Sequence, residues 1–288
     1  MQRRTLIAAL GAGLASLAGC TSIGGTDGAG GGTPTDQPPP TDQPSPTPTP
    51  TSSPAAASLS VSVRALQPAV VMLATDSIHL SGADAHQYLY LEVSVDEGRP
   101  PARDELTVRF DGTTSQPMQT RGLWYGYNHR NERYRSERGA GWLLYELPPS
   151  GDASAAVLEW PGGEWRPDAA LRERLAAPAP SLSMNAAIPE TVPPDSEPTI
   201  GFTVTNEGRI DGRFVAALNR TGPRVAYAPI EAVSRLVPAG ETTTFEVTDT
   251  YDVEGTDPEE RGDGEPDFTY HLDWLEGEIN RSVRVAEV

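Results

Sequence analysis

Lysine is absent from this chain of 288 residues, so all 22 of its basic side chains are arginines. That excludes Schiff-base chemistry and a Walker phosphate loop, because both need an ε-amine. A single cysteine, Cys20, stands near the start, so no intrachain disulfide can form. A blue-copper site is excluded as well, since its thiolate must lie inside the folded module and Cys20 is far outside it. Against 40 acidic residues the arginines leave a formal net charge of −18. Nucleic-acid binding rests on clustered positive charge that releases counterions from phosphates, and this balance argues against it. Neither a Gly-x-Ser-x-Gly elbow nor a His-Glu-x-x-His pair occurs, which removes the compact hydrolase and metalloprotease patterns. The sole extended apolar run, Leu6 to Ala18, is too short to cross a bilayer comfortably, which takes about 20 residues.

That run does have the shape of a secretion signal. Arg3 and Arg4 precede it and small residues close it, in RRTLIAALGAGLASLAGC at 3 to 20. The segment Leu17-Ala18-Gly19-Cys20 resembles the lipobox of prokaryotic lipoproteins, and Arg3-Arg4 resembles the twin-arginine export signal. The resemblance implies that residues 1 to 19 are removed and that Cys20 becomes a lipidated first residue. The protein is then expected at the cell membrane, lipid-anchored and facing the exterior. The alternative is an uncleaved N-terminal anchor with an incidental cysteine.

Removing the leader deletes two arginines and no acids, leaving 40 acids against 20 bases. Such a surface repels itself in dilute buffer, but at about 1 M salt the Debye length falls to roughly 3 Å and the repulsion is largely screened. An acid-rich, lysine-free chain behind a twin-arginine lipobox resembles haloarchaeal exported lipoproteins of uncharacterised function. An ordinary acidic secreted protein is the other reading.

Residues 20 to 57 begin Gly-rich and continue as TPTDQPPPTDQPSPTPTPTSSP. With almost nothing apolar to bury and a proline every second or third position, this segment is expected to be a disordered, extended stalk. At about 3.1 Å per residue when extended, or coiled with a square-root dependence on length, it spans about 30 to 115 Å. Its threonines and serines resemble those of O-glycosylated stalks.

Beyond residue 57 the pattern turns globular. Runs of alternating apolar and polar residues recur between Gly, Pro and Asp: 59 to 66, 70 to 73, 88 to 95, 106 to 110, 141 to 147 and 155 to 160. In YLYLEVSV at 88 to 95, Leu89, Leu91, Val93 and Val95 share one face while Glu92 and Ser94 take the other. RPDAALRERLAAPAP at 166 to 180 carries the one helical pattern, started by Pro167 and Asp168, with Leu171 and Leu175 four apart and Pro178 ending it. Strand runs then resume at 182, 199, 213, 232, 242, 268 and 282. The expectation is all-β: two tandem immunoglobulin-like antiparallel β-sandwiches, 58 to 166 and 181 to 288, joined by a short helix at 167 to 180.

PETVPPDSEPTIGFTVTNEGRIDGRFVAALN followed by VPAGETTTFEVT, within roughly 181 to 250, resembles the CARDB-type immunoglobulin-like modules of prokaryotic surface proteins. There Thr205, Asn206 and Gly208 close one strand, and Pro238, Gly240 and Glu241 introduce another. Gly208 and Gly240 are expected to supply positive φ. The first module, through YLYLEVSVDEG and LTVRFDG, resembles small immunoglobulin-like domains of exported lipoproteins. Neither resemblance carries a catalytic motif, so the chain is read as a non-enzyme that needs no cofactor.

Several residues remain as candidates. Asp76, His79, Asp84 and His86 fall in one presumed loop at 76 to 87, and the acidic run at 252 to 267 includes Arg261-Gly262-Asp263. Both are read as solvated loops without a metal, the second lacking the ligand spacing of a calcium loop. Asn219 and Asn280 begin N-glycosylation sequons. The stretch 122 to 142 gathers Trp124, Tyr125, Tyr127, His129, Arg130, Tyr134 and Trp142 with Arg133, Arg135 and Arg138. Aromatic faces beside guanidinium groups suit a glycan, an acidic polymer or a protein partner. The same residues would also form the inward faces of a hairpin, the arrangement aromatic residues usually report in a sandwich. Three classes stay open: a noncatalytic envelope lipoprotein contacting another surface component, a ligand-binding accessory subunit of a transporter or sensor, and an enzyme with a dispersed site.

Overall fold

The structure, a computed structural model, describes residues 56–82, 85–119, 122–123, 132–222, 226–251, 253 and 265–286. The chain divides into Met1–Thr51 and one compact unit, Ser52–Val288. Arg3, Arg4, Cys20 and nearly all of the presumed stalk lie outside the described residues.

The described fold is all-β with a single α-helix. Its first half contains β1 (Ser58–Gln67), β2 (Val70–Leu73), β3 (Ile78–Ser81), β4 (Gln87–Glu97), β5 (Thr107–Phe110), β6 (Thr113–Ser115), β7 (Ala140–Leu147), β8 (Val157–Trp160) and β9 (Gly163–Trp165). Strands β1-β4-β7 form one sheet, β6-β5-β8-β9 a second, and β2-β3 a separate hairpin, all antiparallel. The alternation read at β4 holds on its first face: Leu89, Leu91 and Val93 enter a core with Leu143, Tyr145 and Leu147 of β7 and Val108, Phe110 and Leu158 of the facing sheet. The opposite face is apolar as well. There Tyr88 and Tyr90 pack with Val70, Leu123, Trp142 and Leu144. A strand buried on both sides reads as a nearly continuous apolar run, which is why YLYL lacks polar residues and only the far end of β4 alternates.

Part of the presumed loop at 76 to 87 is strand, because Ile78–Ser81 pairs with Val70–Leu73. The shortest strands of this half, β6 and β9, are too small and polar to leave a period in sequence. Gly141 is a packing requirement. It lies at φ +134°, and a Cβ there would meet the Arg133 carbonyl carbon, the Glu132 oxygen and the Tyr134 nitrogen at 2.5 Å. Its missing side chain lets residues 132–135 pass against β7, forming the bridge between Arg133 and Trp142.

Helix α1 (Ala169–Ala176) follows β9, at the expected place. Asp168 caps it, its side chain accepting from Leu171 N at 2.8 Å. Leu171 and Leu175 dock into the first core, each burial contributing about 1.5–3 kcal/mol. The helix stops two residues before Pro178.

The second half contains β10 (Leu182–Ala187), β11 (Thr191–Val192), β12 (Thr199–Asn206), β13 (Gly212–Thr221), β14 (Ala228–Val237), β15 (Thr242–Thr248), β16 (Phe268–Trp274) and β17 (Gly277–Val285). One sheet runs β10-β12-β15 and the other β11-β17-β16-β13-β14, with β11 and β17 the parallel pair. Ile200, Phe202 and Val204 of β12 meet Phe214, Ala216 and Leu218 of β13 and Tyr270 and Leu272 of β16 in a common core. Phe202 and Phe245 stack with centroids 4.9 Å apart. Gly240 has φ +71°, as its turn demands. Gly208 does not adopt positive φ; it is needed for space, since a Cβ would sit 2.9 Å from Asn206 Oδ1 and 3.0 Å from Pro180 Cβ.

A buried polar knot ties this half together. Asp249 Oδ2 accepts from Arg220 Nη1 at 2.7 Å and from Tyr270 OH at 2.8 Å, while its Oδ1 accepts from Tyr251 N at 2.9 Å. The Arg220 guanidinium also faces the Phe268 ring at 5.1 Å. Such a network is tolerated in an interior because every carboxylate oxygen is bonded.

Candidate functional site

The site follows from the seam where hairpin β2-β3 lies on β13. Strand β13 reads RFVAALN, apolar at nearly every position, so it presents buried residues on both faces. Its second face places Val215 and Ala217 against Val71 and Ile78. Asn219 sits beside them, its Oδ1 accepting from Ile78 N and its Nδ2 donating to Ile78 O, both at 2.8 Å. The side-chain amide thus serves the hairpin edge as a further strand would. Leu80 N donates to Asp273 Oδ2 at 3.4 Å nearby, and burial raises the Asp273 pKa.

A relay of hydrogen bonds continues along the seam. Arg213 Nη1 donates to Ser234 Oγ at 3.1 Å, Ser234 Oγ donates to Gln67 Oε1 at 2.9 Å, and Gln67 Nε2 donates to Ala69 O at 2.6 Å. Arg213 thereby stands between two clefts. The larger, about 600 Å³, is lined by Arg64, Tyr90, Trp142, Glu231, Arg235 and Tyr251 as well as Arg213. The smaller, about 230 Å³, brings Arg213 together with Arg174 of α1, Gln67, His86, Asp211 and Glu276. Burial lowers the pKa of both Arg174 and Arg213; for Arg213 the nearby charges of Arg174 and Arg235 lower it further. Both still carry charge at any ordinary pH. The clefts can hold polar or anionic groups, and among the described residues no three His, Cys, Asp or Glu side chains converge as metal ligands.

The sequence candidates fare unequally. Tyr134 and Trp142 are interior, each 2% exposed, which corrects their assignment to an outer patch. Tyr134 belongs to the first core and its OH donates to Pro101 O at 2.9 Å. Trp142 packs against Tyr90 with centroids 6.2 Å apart, and the Arg133 guanidinium lies 5.6 Å from its ring. The cation–aromatic pairing read from sequence is therefore made inside the chain at this point. Trp124, Tyr125, Tyr127, His129 and Arg130 lie outside the described residues, as do Asp84 and residues 254–264.

Asp76 and His79 are exposed on and beside β3, while His86 faces Glu146 at 3.5 Å. They do not gather. Asn219 is 5% exposed with its amide nitrogen bonded to Ile78, so a glycan there is incompatible with this packing and its sequon reading is corrected. Asn280 is exposed, its Oδ1 2.6 Å from His271 Nδ1. Arg174 and Arg213 were missed in sequence. A signal did exist for Arg174: it shares the buried face of α1 with Leu171 and Leu175, where a charge is out of place.

Among the described residues no helix is long and apolar enough to cross a membrane. No family model matches the chain, and no curated protein does. Among solved structures, a mutant β-glucosidase from Listeria innocua bound to laminaribiose is 17% identical over 37% of this chain and 16% of its own, with a TM-score of 0.27. The same organism's β-glucosidase with gluconolactone gives 14% identity over 39% and 17%, also at 0.27. The chain thus spans about a sixth of the length of those enzymes, and a likeness this slight carries no functional conclusion.

Proposed function

We propose that this chain is a noncatalytic lipoprotein of a cell envelope. A lipid on Cys20 holds it to the membrane, and two immunoglobulin-like β-sandwiches in tandem contact another surface component, protein or glycan, on the exterior. The observation that carries the reading is an order along the chain: two arginines, an apolar run, Leu17-Ala18-Gly19-Cys20, and then a long Gly- and Pro-rich segment before the β-rich unit. A cysteine used for packing or catalysis would stand among the strands; this one stands where a leader ends.

The fold supports the sandwich part of the reading. In each half, one apolar cluster is drawn from two different sheets, which is how a sandwich shares its core. The acid excess and the absence of lysine support an exterior exposed to concentrated salt.

Replacing Cys20 by Ala tests the anchor. The variant is expected in the medium or as an uncleaved precursor, whereas the wild type partitions into the detergent phase. Equal detergent partitioning of a mature-sized C20A protein would contradict the proposal.

A further inference from the structure

We infer that the smaller seam cleft is a binding site for a compact dianionic oxyanion, a phosphate or sulfate group, held by Arg174 and Arg213. The inference stands apart from the membrane-anchor reading, because it uses only residues of the β-rich unit.

Two guanidinium groups from distant parts of the chain, one on α1 and one on β13, line the same 230 Å³ space. The chain has 40 acids with which to neutralise 22 arginines. Arg64, Arg109, Arg166, Arg220 and Arg281 each hold a carboxylate at 2.7 to 3.3 Å. Among the described residues Arg174 and Arg213 hold none within 4.0 Å. Each is steadied from one side only, Arg174 Nη2 by Leu66 O at 3.2 Å and Arg213 Nη1 by Ser234. The Nε of each is shut off from solvent with no acceptor among the described residues. A guanidinium has five donors, so most of this capacity is unspent.

Several other polar groups of the cleft are already engaged. Gln87 Nε2 donates to Pro148 O and Leu175 O, and Gln67 Nε2 to Ala69 O. Asp211 Oδ1 accepts from Ala239 N at 3.0 Å and Glu276 Oε1 from Leu182 N at 3.1 Å, which ties both carboxylates to backbone amides. His86 faces Glu146. The two arginines thus keep the most unspent donors; the charge of Arg174 opposes that of Arg213, while Asp211 favours the charge on Arg174. A dianion removes that repulsion, and its several oxygens match the guanidinium forks. The volume, about 230 Å³, admits such a group with a small substituent.

The test is calorimetric titration of the full-length protein in molar potassium chloride, at constant ionic strength. One arm uses inorganic phosphate, one inorganic sulfate, and one glucose 6-phosphate. Saturable binding in excess of chloride is expected in at least one arm. Tighter binding of the sugar ester identifies an esterified group as the ligand; equal or weaker binding identifies the free anion. Arg174→Gln and Arg213→Gln should each weaken binding about tenfold or more, the loss of one charge-assisted contact. Arg174→Lys should retain part of it. Arg172→Gln, exposed on the same helix and off the cleft, should leave it unchanged. A thermal melt of each variant separates lost binding from lost folding. Absence of saturable binding in all three arms up to tens of millimolar overturns the inference, as does unchanged affinity in folded R174Q and R213Q.

Discussion

Asn219 holds Ile78 by both edges of its amide, with two 2.8 Å hydrogen bonds that join residues 141 positions apart. Ile78 is 2% exposed, so water does not replace these bonds when they are lost. Asn219→Ala is therefore expected to destabilise the protein by about 2–4 kcal/mol, the cost of leaving a buried N–H and C=O unpaired. Asn219→Asp keeps an acceptor for Ile78 N but sets a carboxylate oxygen against Ile78 O, and should be no better. Urea unfolding midpoints read both. Any N-linked glycan on the native protein should map to Asn280 and not to Asn219, which peptide mass mapping decides.

The Arg220–Asp249–Tyr270 knot predicts a second set of changes. Asp249→Asn leaves the Arg220 charge buried without its partner, at a cost of about 3–5 kcal/mol. Tyr270→Phe removes a neutral donor to the Asp249 carboxylate and should cost about 1.5–3 kcal/mol at neutral pH. The difference between these two losses checks the charge assignment.

Alkaline pH provides a third test. Burial raises the Tyr145 and Tyr270 phenols above the ordinary range, Tyr270 further through Asp249. Tyr88 is pushed up to about 12, by burial first and then by Glu146. In the unfolded chain these phenols ionise near 10. Each raised phenol contributes its stability in full below about pH 10, and that stability is lost as pH rises toward 12, by about 1.4 kcal/mol per pH unit per phenol still protonated in the fold. Unfolding free energy should thus be insensitive to these groups at neutral pH and fall steeply above 10. The fall should be shallower in Tyr270→Phe.

Trp142 separates an interior role from a surface one. As a core residue its replacement by Ala should cost about 3–5 kcal/mol, whereas an exposed patch residue would change stability by about 0.5 kcal/mol or less. Gly141→Ala should also destabilise, because the added methyl meets the backbone of residues 132–134. Thermal melts of both variants supply the comparison.

Much of the fold was legible because its signals are local. The period of two in β4, the Asp168 cap, the Leu171–Leu175 spacing and the Gly240 turn each lie within a few residues. The seam was not legible. Val71 and Ile78 meet Val215 and Ala217 across more than 130 positions, and nothing in either segment names the other. What β13 does show is an unbroken apolar run, the mark of a strand covered on both faces. Arg174 and Arg213 converge for the same long-range reason. Tyr134 and Trp142 lie beside arginines in a way that fits a patch or a core alike, and only packing distinguishes the two.

Salt dependence follows from charge alone. With a net charge of −18, the folded state should be held together better in molar potassium chloride than in tenths of molar. The thermal midpoint followed by circular dichroism is expected to rise across that range. A flat response would remove the case for a brine-adapted surface.

The measurement closest to the central claim is intact and peptide mass spectrometry of the protein extracted from its own membranes. A mature chain beginning at Cys20, with the mass of a thioether-linked lipid on its sulfur, is the predicted result. A chain that retains residues 1 to 19, or one that starts at Cys20 with a bare thiol, would contradict it.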